Sequence, residues 1–171
     1  MTIRRPPVKD AGIDDIDRSI VRLLERHGRL SQEELARRIR LSRPAVHQRV
    51  KRLEAARVIR GYRAELDWAA LGLPLTAFVW VRTGGPNCAP VGPAILGQGD
   101  DGALAEEVHR VTGEWCLLVK ARAATPLALQ GLIDRIRTVP GVTNTTTTLA
   151  LSSLRHQDAA DGDRIVPEAA P

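Results

Sequence analysis

At 171 residues and 43% hydrophobic content, the chain has the makings of one or two small globular domains, most of which is expected to fold. Two isolated cysteines exclude a disulfide framework, no apolar run approaches the roughly 18 residues that span a bilayer, and the opening MTIRRPPVKD lacks the apolar core of a secretory signal. The net charge of +5 is unevenly placed: residues 1–66 hold 17 basic and 9 acidic groups, and the remainder 8 and 11, so one end of the molecule is suited to a polyanion.

Residues 1–12 carry two prolines and three basic groups without periodicity and are expected to be a flexible arm. A helix begins at Asp14, with Ile16, Ile20, Leu23, Leu24 and His27 at helical spacing and Gly28 ending it. Asp14 as cap and Asp17 behind it place acid at the positive end of the helix dipole. Ser31 and Glu34 are spaced as a capping box, with Leu30 and Leu35 as its hydrophobic staple and Ile39 on the face of Leu35. The device repeats: Ser42 caps the next helix, Leu41 and Val46 staple it, and Pro44 sits in its first turn, where no N–H is missed.

Two helix starts eleven residues apart leave room for a tight turn and little else, which describes a helix-turn-helix unit. In the second helix Val46, Val50 and Leu53 point inward, while Pro44, Gln48, Lys51, Arg52 and Ala55 point outward, flanked by Ala45 and His47. Residues 36–63 contain ten Lys or Arg against a single acid, Glu54. Solvated faces tend to mix signs, as Glu33, Glu34, Arg37 and Arg38 do; a one-signed helix behind a capped turn suits phosphate contact. Arg43, Ala45, His47, Gln48 and Arg52 are therefore expected near base edges, with Gln48 suited to adenine and Arg43 to guanine. Arg49, Lys51, Arg60 and the Ser42 hydroxyl are expected on phosphates. Arg49 has a second reading, because it flanks the buried stripe and is placed to pair with Glu54 or with an acid on the first helix. Residues 58–64 follow as a short strand, a wing or a lead into a linker.

From residue 75 the pattern changes. Residues 75–82 are rich in β-branched and aromatic residues. The Gly- and Pro-rich span 84–102 is poor helical material, with short helical pieces expected at most at 94–98 and 103–107. Strands are expected at 108–111 and 115–121, joined by Thr112-Gly113-Glu114. Thr125 and Pro126 start a helix with Leu129, Leu132, Ile133 and Ile136 as its buried stripe, Val139-Pro140-Gly141 stops it, and 143–151 is a last strand. The order suits a ferredoxin-like βαββαβ sandwich with one face of its sheet open for dimerisation. The fold class is then α+β: an arm (1–12), a winged helix-turn-helix domain (13–64), a linker (65–74), the sandwich (75–154) and a disordered tail (155–171). His27, His47, His109 and His156 form no cluster, and neither Cys88 nor Cys116 has metal-ligand spacing, so no metal site and no catalytic set is expected.

Residues 13–24, the stretch 41–54 with its Arg49-Val50-x-Arg52-Leu53-Glu54 run, Val58-Ile59-Arg60-Gly61-Tyr62, Val111-Thr112-Gly113 and Val139-Pro140-Gly141-Val142 occur in the order and spacing of one family. Across roughly residues 13–154 the chain resembles the Lrp/AsnC (feast/famine) transcription regulators. The resemblance implies a cytoplasmic, nucleoid-associated protein that binds near-palindromic double-stranded DNA as a homodimer, tetramer or octamer. It implies no cofactor, but a small effector, an amino acid or related metabolite, at the seam between dimers. The matching positions are Thr112, Gly113, Glu114, Trp115 and Cys116, with Thr145 and Thr147 on the last strand. Three departures stand out. Arg40 and Arg57 occupy positions where the family usually has glycine, each costing about 1 kcal/mol if the backbone there is left-handed. Cys116 stands where an acid is common, which leaves Glu114 as the carboxylate able to take an α-amino group. Two other functions are compatible with the fold: a haem-pathway decarboxylase, against which the scattered histidines speak, and an assembly module whose contacts would be insensitive to salt. The chain is therefore read as a regulator and not an enzyme.

Overall fold

A computed structural model describes residues 12–85 and 88–153, which divide into two compact units at Glu65 and Leu66. The arm and tail expectations fall almost wholly outside these residues.

The first unit is three helices: α1 (Asp15–Arg26), α2 (Gln32–Ile39) and α3 (Arg43–Ala55). Their starts follow from side chains that satisfy otherwise free N–H groups. The Asp17 N–H donates to Asp14 Oδ1 at 2.8 Å and the Asp14 N–H to Asp17 Oδ2 at 3.2 Å, a reciprocal box closed by two aspartates. Ser31 and Glu34 do the same for α2, and the Ser42 hydroxyl accepts from Ala45 N–H at α3. α1 ends at Arg26 with His27 as its cap, one residue before Gly28. Ile20, Leu35, Ala36, Val46, Val50 and Leu53 form the core, with Leu24, Leu30, Ile39, Leu41 and Val58 packed around them.

Both arginines at the glycine-type positions are left-handed, Arg40 at φ 56° and Arg57 at φ 57°, and no other non-glycine among the described residues has positive φ. The turn after α3 explains a correction. Residues 58–64 form no strand, because the Val58 and Ile59 N–H groups are spent on the Leu53 carbonyl (2.9 and 3.2 Å), closing the helix end. Nor does this unit supply a second extended segment: the one sheet among the described residues lies wholly within the other unit.

The second unit opens with a turn over residues 68–72, in which Asp67 Oδ1 accepts from the Ala69 and Ala70 N–H groups and Gly72 takes φ 80°. β1 (Leu75–Thr83), α4 (Val91–Leu96), β2 (Ala103–Arg110), β3 (Leu117–Ala123), α5 (Pro126–Thr138) and β4 (Val142–Ala150) follow. The antiparallel strands lie in the order β2-β3-β1-β4, the ferredoxin-like arrangement. Ala77, Val79 and Val81 of β1 and Val119 and Ala121 of β3 form one core with Ile95 of α4 and Leu132 and Ile136 of α5.

Residues 103–107 are strand, not helix. Their Ala, Leu and Glu favour a helix, but pairing decides: Ala103 and Ala105 lie opposite Ala123 and Ala121 on the core side, and a bulge at Glu106 shifts the register. The helical piece expected at 94–98 is the end of α4, which starts at Val91. β3 begins at Leu117, which leaves Trp115 and Cys116 in the turn before it.

Candidate nucleic-acid interface

Arg43, His47, Gln48 and Lys51 lie exposed along the outer face of α3, with Ala45 half-buried beside them and Arg60 exposed beyond the helix. His47 Nδ1 meets Gln32 Oε1 at 3.1 Å, which ties the middle of α3 to the start of α2. The Ser42 hydroxyl accepts the Ala45 N–H at 3.4 Å and keeps its own proton for a ligand.

Two of the expected contact residues are engaged from behind. Arg49 Nη1 donates to Asp14 Oδ2 at 2.6 Å and to Asp17 Oδ1 at 2.9 Å, the second of the two roles its position allowed. Arg52 Nη2 donates to Asp17 Oδ2. The Asp17 backbone N–H and the Arg49 guanidinium hold the Asp14 carboxyl below its usual range. The sequence allowed for Arg49 meeting an acid of the first helix; that the same acid, Asp17, also takes Arg52 was missed. A signal was present: acids three apart on one helix and arginines three apart on another can meet as two rungs if the helices pack.

The other expected site surrounds the β2–β3 turn. Val111 N–H donates to the Cys116 carbonyl (3.1 Å), Cys116 N–H donates to the Val81 carbonyl (3.0 Å), and Gly113 takes φ 106°, where a side chain would be strained. Thr112, Gly113 and Glu114 are exposed, and Trp115 and Cys116 half-buried. Arg82, overlooked in the sequence, joins the turn together: it ion-pairs with Glu114 and its guanidinium lies 5.1 Å from the centre of the Trp115 ring. The buried Thr83 hydroxyl has no nitrogen or oxygen partner among the described residues. The Thr83 side chain and backbone, followed by the Arg110 and Arg82 charges, draw the Cys116 thiol below its ordinary value. Thr145 is opposite Val81, on the far side of β1 from the turn, and its hydroxyl is taken by Arg137 Nε at 2.9 Å. Thr147, two residues on, is exposed. No group of three or more His, Cys, Asp or Glu among the described residues is placed to hold a metal. His109 pairs with Glu107 (2.9 Å), far in sequence from His27 and His47, and His156 lies outside the described residues.

Residues 13–60 match a winged helix-turn-helix DNA-binding family, and residues 104–160 match the Lrp/AsnC ligand binding domain. Over 141 residues, 82% of this chain and 91% of the relative, the sequence is 38% identical to the HTH-type transcriptional regulator LrpA of Mycobacterium tuberculosis. The chain belongs to the Lrp/AsnC family of transcriptional regulators. It is 33% identical to the leucine-responsive regulatory protein of Rhizobium meliloti, covering 84% of this chain and 92% of that one. Its structure is similar to that of the feast or famine regulatory protein of M. tuberculosis complexed with L-methionine, at a TM-score of 0.74 and 36% identity, covering 84% and 95% of the two chains.

As an Lrp/AsnC protein the chain is a DNA-binding transcriptional regulator whose helix-turn-helix is α2–α3 and whose second unit is the ligand-binding module. Neither the decarboxylase nor the assembly module is favoured by these relatives, which are transcriptional regulators. No helix among the described residues is long and apolar enough to cross a membrane.

Proposed function

We propose that the outer face of α3 reads operator DNA directly, with Arg43, Ala45, His47 and Gln48 toward base edges and Ser42, Lys51 and Arg60 toward phosphates. One observation carries this reading. Arg43, Gln48 and Lys51 stand exposed in a row, and among the described residues none has an intramolecular polar partner to give up on binding. The protein then acts as a regulator, without catalysis, at the nucleoid in the cytoplasm.

The open face of the sheet is the dimerisation surface in this reading. Phe78, Trp80 and Leu118 lie there, half-buried, with Trp80 directly opposite Leu118 in the register. Two subunits joined this way present their recognition helices to successive major grooves about 34 Å apart, which calls for a near-palindromic site.

The β2–β3 turn receives an amino acid or a related metabolite, supported by the methionine complex of the similar regulator. The Arg82–Glu114 pair suits such a ligand, because an α-amino acid carries both complementary charges and can replace each partner for the other. Cys116 contributes no carboxylate, so Glu114 takes the amino group and Arg82 the carboxylate.

A gel-shift titration against the region upstream of the protein's own gene, over a salt series and with L-methionine and other amino acids added, tests this. The expected result is a steep fall in affinity with salt, about 0.9 in log–log slope per phosphate neutralised, and a shift with at least one amino acid. Salt-independent binding would contradict the α3 reading. A salt-dependent but ligand-indifferent complex would contradict the effector reading alone.

A further inference from the structure

We propose that Asp14 and Asp17 form a carboxylate clamp that fixes the rotation of α3 about its axis, so that Arg49 and Arg52 govern operator selectivity as positioning residues and not by touching phosphate. The inference rests on the reading that α3 faces DNA, and departs from the direct contacts expected for these two arginines.

The geometry is that of a filled socket. Asp17 is 0% exposed, and three donors meet its carboxylate. Oδ1 takes Arg49 Nη1 at 2.9 Å, and Oδ2 takes Arg52 Nη2 together with the Asp14 N–H at 3.2 Å. The same Arg49 nitrogen reaches Asp14 Oδ2 at 2.6 Å, so Arg49 bridges both acids and its side chain is only 26% exposed. Arg52, at 52%, is more open but shares the buried carboxylate.

Two consequences follow from elementary electrostatics and helix geometry. Withdrawing Arg49 or Arg52 toward DNA would leave a buried, under-compensated carboxylate, which is strongly unfavourable. The clamped residues also alternate with the free ones: Gln48 precedes Arg49 and Lys51 precedes Arg52, each 100° around the helix from its neighbour. Holding the two arginines against α1 therefore fixes the direction in which Gln48 and Lys51 project. A bidentate contact to a base edge needs that direction held; a phosphate contact by a flexible lysine does not.

The test uses the full-length protein and two duplexes: the strongest one that the wild type recovers from a random library, and a scrambled duplex of the same length and composition. Asp17→Asn removes the charge at the centre of the clamp and alters no residue on the DNA-facing helix. Its preference for the selected duplex is expected to fall about tenfold, the loss of roughly one misread base pair, while affinity for the scrambled duplex does not fall. Asp14→Asn keeps an N-cap residue and half the clamp, so it folds and shows a smaller loss in the same direction. Arg49→Gln is expected to lower the preference without changing the salt slope on either duplex.

An Arg49→Gln slope that falls by about 0.9 on both duplexes would mean a phosphate contact and overturn the clamp. Unchanged selectivity in Asp14→Asn and Asp17→Asn would overturn it equally. A wild type that selects no duplex would remove the α3 reading itself, and the clamp with it, whereas a selective wild type with indifferent aspartate variants removes only the clamp.

Discussion

The helical unit and the sheet unit are held together differently. In the helical unit the core is a handful of side chains, Ile20, Leu35, Val46, Val50 and Leu53 chief among them, and the rest of the organisation comes from capping boxes and the Asp14/Asp17–Arg49/Arg52 cluster. In the sheet unit a wider core runs through three strands and both helices, and one group of ion pairs, Lys120–Glu106 and Arg122–Glu106, lies on the opposite side of the sheet. Small units bury too little apolar surface to be secure on burial alone. Local polar devices thus make up a larger share of the helical unit's stability, and that is also the unit that must present a fixed surface to DNA.

The sharpest way to break this comparison is to remove equivalent core groups from each unit. Ile20→Ala, at a fully buried site, is expected to cost 2–5 kcal/mol and to bring unfolding of the helices, with loss of DNA binding, ahead of the sheet. Leu132→Ala, also fully buried, is a lesion of the same size in a wider core. Denaturant titrations followed by helical signal and by Trp fluorescence check both. If the two variants lose their helical signal at the same denaturant concentration, the contrast between the units is wrong.

A smaller effect is expected from the caps. Ser31→Ala removes one half of the α2 capping box and should lower stability by about 1 kcal/mol, read as a shift in denaturation midpoint without a change in slope. Arg40→Gly and Arg57→Gly act in the opposite direction. Each relieves a left-handed residue and is expected to raise stability by up to about 1 kcal/mol while weakening DNA binding by loss of charge. A fall in stability in either variant would show that the arginine side chain contributes more than its backbone strain costs.

The smallest expected effect is spectroscopic. Tyr62, the single tyrosine, donates to Glu54 at 2.9 Å, and burial followed by that carboxylate raises its pKa to about 12. Because the folded value is raised, the stabilisation is fully present below the unfolded value near 10, and is lost as pH rises from there through about 12. An ultraviolet difference titration should find tyrosinate forming near 12 in the folded protein and near 10 in denaturant, with Glu54→Gln lowering the folded value. A folded midpoint near 10 would place Tyr62 away from Glu54.

The same contrast explains what could be read from the chain beforehand. Ser31, Glu34, Ser42 and Pro44 act within a few residues of themselves, so the starts of α2 and α3 were legible in their spacing. The left-handed Arg40 and Arg57 were legible too, as arginines at glycine positions. What escaped depends on partners far along the chain. β2 reads locally as helix, and only its pairing with β3 makes it a strand. Residues 58–64 read locally as a strand and find no partner in their unit. In the candidate sites the outward face of α3 was plain from its periodicity. The pairing of Arg49 with an acid of the first helix was open from its position, whereas the capture of Arg52 by the same helix, and of Glu114 by Arg82, required knowing which surfaces meet.

The claim on which the rest depends is that the exposed face of α3 reads DNA, and the Gln48→Ala, Lys51→Ala double variant tests it most directly. Both side chains are exposed and unpaired among the described residues, so the variant should unfold at the wild-type denaturant concentration. In a gel-shift assay against the operator, it should lose specific binding and retain only weak, strongly salt-dependent association. Wild-type operator affinity in a folded double variant would contradict the account.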